Sequence, residues 1–195
     1  MPSYGLIVEG DGDAEVFQKL LPMVNSPDAA VYPLICGGIK QLMKQFPELL
    51  RRFEYVHNGE PVDRALVIAD CDNKSIHDVL SELQSRLGNR TYKFTQGLRF
   101  VVVRRKLDTW LLADEKAINA ARQGRGQQIQ RVNDVLEDLM HPKERLQRIM
   151  SAAKLIYTPA TLGRIAENID VAVLTDRVPS FRSFHIAVRQ GLLDP

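Results

Sequence analysis

Three short apolar runs, at residues 4–8, 64–69 and 98–103, are continuous rather than alternating, the pattern of strands buried on both faces of a sheet. A fourth, at 30–36, carries Pro33 and is expected at an edge or in irregular form. Between the runs the apolar spacing becomes helical: over 14–21, closed by Pro22, and from about residue 39, where Pro47 is expected to bend or divide the helix before Tyr55. It is helical again over 75–87, with Ile76, Val79, Leu80, Leu83 and Leu87 on one face, and over 108–121 around Trp110. Strands alternating with helices predict an α/β fold with a mainly parallel four-stranded sheet covered on both faces. After Gly124 and Gly126 the β signal thins, and helices are expected over 127–140, 142–154, 158–169 and 179–191. Residues 171–174 fit a strand or a helix end, and the last helix has Phe181, Phe184, Ile186 and Val188 as its apolar members. The expected organisation is therefore an α/β core over 1–121 and a helical C-terminal extension over 122–195 packed on it.

The strongest strand enters Asp70-Cys71-Asp72, two carboxylates separated by one residue. Such a pair can be an Asx turn or a helix cap. Glu9, at the end of the first run, makes a second carboxylate source, and parallel neighbouring strands would bring all three acids to one edge. Unneutralised, they would raise one another's pKa values, which points to a bound divalent cation. Hard oxygen donors without a histidine or thiol cluster favour Mg²⁺ or Mn²⁺. Glu9, Asp70 and Asp72 are the expected catalytic and metal-binding acids, with Asp13 or Asp108 for a second ion. Cys71 alternates to the opposite side. Gly10 and Gly12 permit a tight turn whose amides face an anion, or serve as ordinary turn glycines.

A net charge of +2 over 195 residues is too mild to imply nucleic acid. Distribution says more, because Arg86, Arg90, Lys93, Arg99, Arg104, Arg105 and Lys106 follow one another without an intervening acid. Such a run either contacts phosphates or is a solvated face. Arg104, Arg105 and Lys106 leave a central-looking strand at the edge of the acids and, with Lys74, are the expected phosphate contacts. Tyr92 and Phe94 either stack on bases or line a short strand, and Arg122, Arg125 and Arg131 form a basic loop. Trp110 is expected as a core anchor. The two cysteines, Cys36 and Cys71, have no zinc or CxxC spacing and suit core thiols of a reducing compartment. With no basic leader or bilayer-length apolar stretch in view, a cytoplasmic location without a membrane partner is expected. There is no Walker A sequence and no nucleophile elbow, so any ATPase would be a separate partner. Oligomeric state is left open.

Val8-Glu9-Gly10 followed by Asp70-Cys71-Asp72 resembles the TOPRIM domain of topoisomerases, primases, OLD-type nucleases and related maturation ribonucleases. The resemblance implies that Glu9 and the aspartate pair bind Mg²⁺ and support phosphodiester chemistry. OLD-like members carry a further acid a few residues on, matched by Asp13. A narrower resemblance is to the DUF4276 family, a TOPRIM-like group without a settled activity. It adds Lys106-Leu-Asp-Thr-Trp-Leu-Leu-Ala-Asp114 and Pro179-Ser-Phe-Arg-Ser-Phe184, and covers nearly the whole chain. Its tryptophan motif usually has glutamate where Asp108 stands. The expected function is Mg²⁺-dependent phosphodiester chemistry on nucleic acid, by a TOPRIM-like nuclease. The alternative is a non-catalytic nucleic-acid- or nucleotide-binding subunit of a defence or repair assembly. A glycosyltransferase D-x-D leaves Glu9 without a role, and a phosphoaspartate hydrolase lacks its usual threonine.

Overall fold

Large aliphatic and β-branched residues build four strands, β1 (Ser3–Val8), β2 (Ala30–Ile35), β3 (Arg64–Asp70) and β4 (Leu98–Val103). They form one all-parallel sheet in the order β2-β1-β3-β4. The structure is a computed structural model and describes residues 1–122, 124 and 126–189. β2 lies at an edge, where the N–H that Pro33 lacks is not needed by a second neighbour. The chain leaves β1 for β2 on one side and returns to β3 on the other. The direction of winding thus reverses between β1 and β3, where open α/β sheets leave a crevice beyond the carboxyl ends of the strands.

Helix α1 (Asp11–Val24) follows β1, α2 (Ile39–Arg52) follows β2 and α3 (Ile76–Leu87) follows β3. On one face Ile7, Val67, Ala69 and Val102 pack under α2 and α3 with Leu42, Phe46, Leu50, Val79 and Leu83. On the other, Leu6, Val8, Leu66, Ile68, Val101 and Val103 pack under α1 and the C-terminal helices. These are α4 (Asp108–Leu111), α5 (Glu115–Ala121), α6 (Pro142–Ala152), α7 (Pro159–Ala166), α8 (Val171–Arg177) and α9 (Pro179–Arg189). One hydrophobic core therefore joins the sheet to residues 142–189. Trp110 is fully buried in it: its ring meets Phe17, Phe181 and Phe184 at centroid distances of 5.6, 5.0 and 5.4 Å, and its indole N–H donates to Ser180 Oγ at 2.9 Å. Buried Arg64 donates to the carbonyls of Ala187 (2.7 Å) and Val188 (2.6 Å), tying the end of α9 to the start of β3.

Several elements depart from the sequence expectation. Neither Pro22 nor Pro47 ends its helix; α1 runs two residues past Pro22, where its last turn loses a single N–H, and α2 is continuous through Pro47, which is buried beside Phe46 and Leu50. The helix expected over 108–121 is two helices, because buried Asp114 caps α5: its Oδ1 accepts from Lys116 N (3.0 Å) and Ala117 N (3.2 Å). The helix expected over 127–140 does not form. A single 3-10 turn, Leu136–Asp138, interrupts irregular chain there. The 171–174 segment is helical, within α8, and Asp170 caps it through Ala172 N at 2.8 Å. On α9 Ile186 is exposed while Phe181, Phe184 and Val188 are buried; the end of the helix expected over 179–191 lies outside the described residues. Among the described residues no helix is long and apolar enough to cross a membrane.

Candidate acidic site at the switch point of the sheet

Glu9 is the first residue beyond β1. Its carbonyl accepts from Gly37 N and Gly38 N, both at 2.9 Å, where positive φ values of 84° and 111° let the chain turn back into α2. Its Oε1 accepts from Asp70 N at 2.9 Å, so the ends of β1 and β3 are joined through the Glu9 side chain. Asp13, in the first turn of α1, accepts from Gly10 N through Oδ2 at 2.9 Å. Asp108 opens α4 and is buried; its Oδ1 accepts from Tyr157 Oη at 2.6 Å. Lys143 Nζ lies 5.4 Å from the centre of the Tyr157 ring.

Glu9, Asp13, Asp70 and Asp108 thus come from four elements and line one cleft of about 350 Å³ with Lys106, Lys143 and Tyr157. Gly10, Gly12, Gly37, Gly38, Pro159 and the aliphatic edges of Leu107, Leu111 and Leu162 complete it. A Cβ at Gly12 would stand 3.0 Å from Leu162, so this glycine admits α7 to the cleft wall. The Gly10 N–H is already engaged by Asp13 and is not free for an anion.

Burial is the first cause that pushes all four carboxyls above their ordinary pKa values. Asp13 is pushed up to about 6, the Asp108 charge adding to burial while the Gly10 N–H, Lys106 and Lys143 oppose it. Asp70 keeps some contact with solvent and is raised well above the usual range by burial, then by Asp13 and Glu9, with Lys106 opposing. In Asp108, Tyr157 and Lys143 offset part of the burial effect. Burial lowers Lys106, but its bond to Asp72 and the charges of Asp70, Asp72 and Glu9 outweigh it and leave the ammonium raised.

Asp72 is not in this cleft. Its Oδ1 meets Lys106 Nζ at 2.7 Å, and it lines a neighbouring opening of about 370 Å³ with Lys74, Arg104 and Arg105. Three of the four expected phosphate contacts thus stand apart from the acids, each with a partner. Lys74 pairs with Glu82 at 3.1 Å, Arg104 with Asp138 at 3.0 Å, and Arg105 donates to Asn73 Oδ1 at 2.8 Å. Lys106 alone lines the acidic cleft. Tyr92 and Phe94 lie in no strand; their rings stack on each other at 5.5 Å, and Tyr92 donates to the Pro47 carbonyl, so the pair belongs to the covering of α2. Arg131 borders a separate opening beside Arg177, and Arg125 lies outside the described residues. Lys143 and Tyr157 carried no signal in the sequence, since only the packing of the C-terminal helices brings them to the cleft.

Hard carboxylate oxygens in excess over two ammonium groups suit Mg²⁺ or Mn²⁺. The cage is not preassembled: among the described residues no group of three His, Cys, Asp or Glu side chains is arranged to hold a metal ion. The chain matches no family model, no curated protein and no solved structure.

Proposed function

We propose that this chain performs Mg²⁺- or Mn²⁺-dependent phosphodiester chemistry on nucleic acid, as a cytoplasmic nuclease of the TOPRIM-like kind. One observation carries the proposal: four carboxylates from four elements, all raised by burial, meet in one cleft at the point where the winding of the sheet reverses. A structural role accounts poorly for such a group, because carboxylates drawn out of water in excess of the two lysines beside them destabilise a fold. Glu9, Asp13, Asp70 and Asp108 would hold the cation, which when bound neutralises phosphate charge and lowers the pKa of water. Tyr157 fixes the rotamer of Asp108 through its 2.6 Å bond. Lys106 and Lys143 offer positive charge to the phosphate from opposite sequence segments of the cleft.

A second function is a nucleic-acid- or nucleotide-binding subunit without turnover, working with a separate ATPase or other protein; among the described residues no three acids are arranged as a metal cage. Incubating single- and double-stranded DNA and RNA with wild type and Asp70→Asn, with and without Mn²⁺, separates the two. Metal-dependent cleavage that falls at least about a hundredfold in the variant is expected. Equal background in both proteins overturns the proposal, and salt-sensitive binding that survives the substitution without cleavage selects the second function.

A further inference from the structure

Asp72 and Arg105 stand beyond the ends of neighbouring strands β3 and β4, and both have left-handed backbones, with φ of 47° and 64°. Non-glycine residues seldom adopt this conformation, and it persists where surrounding bonds enforce it. Those bonds are present. Asp72 N donates to the Arg105 carbonyl at 3.1 Å, Arg105 N donates to Cys71 Sγ at 3.3 Å, and Arg105 Nη1 donates to the Asp72 carbonyl at 3.3 Å. Cys71 N donates to the Val103 carbonyl at 2.9 Å, and Lys74 N to the Cys71 carbonyl at 2.8 Å. The two turns therefore clasp each other and fix the direction in which Asp72 leaves the backbone.

In that direction Asp72 meets Lys106, whose ammonium lies 2.7 Å from Asp72 Oδ1. Lys106 lines the acidic cleft and Asp72 does not. Both side chains are more than a third exposed, and an ion pair in that setting contributes little to stability. What the pair does fix is the end of a flexible side chain at the mouth of the cleft.

From this geometry we propose that Asp72 is a positioning residue that acts through Lys106, and that Lys106 is the catalytic cation meeting the non-bridging oxygens of the phosphate. This rests on the phosphodiester function proposed above and departs from it in taking the second acid of the Asp70-Cys71-Asp72 pair out of metal binding. Lys106 forms no covalent bond and gives up no proton; it supplies charge where charge develops on the phosphate.

Asp72→Asn keeps the shape of the side chain and a residue type that tolerates the left-handed backbone, so the clasp remains. Three measurements on wild type, Asp72→Asn, Lys106→Gln and Asp70→Asn decide the matter: Mn²⁺ affinity by paramagnetic titration, the Lys106 ammonium signal in ¹H–¹⁵N spectra without metal, and kcat and KM for cleavage. Asp70→Asn is expected to weaken Mn²⁺ binding at least about tenfold. Asp72→Asn is expected to change it less than about fivefold, the effect of one solvent-screened charge. It is also expected to abolish the ammonium signal and to lower kcat in the same direction as Lys106→Gln. Loss of Mn²⁺ affinity in Asp72→Asn equal to that in Asp70→Asn makes Asp72 a ligand and overturns the proposal. An ammonium signal unchanged by Asp72→Asn overturns it as well. Wild type that binds no Mn²⁺ overturns the metal-dependent function instead, and the ammonium signal then decides the role of Asp72 alone.

Discussion

Asp13 carries the effect of the cleft in a single side chain. Its pKa rises from 3.8 to about 6 on folding, so the folded protein binds a proton that the unfolded chain releases between those values. Its charged form is penalised, and the penalty is absent below the unfolded pKa, grows as pH rises to about 6, and is constant above it. Asp63 has the opposite sign: bonds from Ser3 N, Ser3 Oγ and Thr95 Oγ1 overcome burial and lower its pKa, so its contribution is present at neutral pH and lost in acid. Asp13→Asn keeps an oxygen to accept from Gly10 N and removes the charge. Measured by chemical denaturation in the presence of a chelator, the variant is expected to match wild type near pH 4. It should then gain on it toward pH 7, by on the order of 2 kcal/mol. A difference independent of pH would mean that Asp13 titrates as an ordinary surface acid.

Elements whose apolar periodicity is completed by their own neighbours in sequence were legible, whereas those decided by distant partners were not. β1 and β3 are buried runs at the expected positions, and Glu9 and Asp70 meet because those strands are adjacent; β4 stands at its expected position but at the other edge of the sheet, buried only over Val101–Val103. The 127–140 segment has Ile129, Val132 and Leu136 at helical spacing, and all three are buried, yet the chain forms no α-helix there. Its backbone groups are satisfied from elsewhere: Asn119 bonds both the N–H and the carbonyl of Ile129 at 2.9 and 2.8 Å, Arg177 donates to the Val132 carbonyl, and Arg104 to that of Glu137. β-Branched residues and Asn133-Asp134 make the competing helix weak. Tyr157 escaped the sequence for the same reason, since it reaches Asp108 across 49 positions. Asp114 tests this account at one residue, because it caps α5 and also accepts from Asp170 N at 2.8 Å, before α8. Asp114→Ala leaves three N–H groups without that acceptor and is expected to cost about 2–4 kcal/mol, read as a lower denaturant midpoint at unchanged slope. A loss below about 0.5 kcal/mol would show that α5 and α8 do not depend on it.

The shared core determines how the acidic cleft bears on the molecule as a whole. Asp108 opens α4, which also carries Trp110, and Trp110 lies among Phe17 of α1 and Phe181 and Phe184 of α9. Strain at the cleft and packing of the C-terminal helices are therefore borne by one cooperative unit, and the fluorescence of the only tryptophan reports on both. If the four acids are there for a cation, the fold should be less stable without it than with one acid removed. In chelator, Asp70→Asn is expected to unfold at a higher temperature than wild type, since it relieves a buried charge opposed by Asp13 and Glu9. With Mn²⁺ the order should reverse. Wild type gains about 2.7 kcal/mol at a hundred times its dissociation constant, and the variant, lacking the ligand, gains much less. Tryptophan fluorescence and circular dichroism should give the same midpoint in each case. A variant less stable than wild type in chelator would make Asp70 a structural residue, and the stability lost to its burial would then have no functional counterpart.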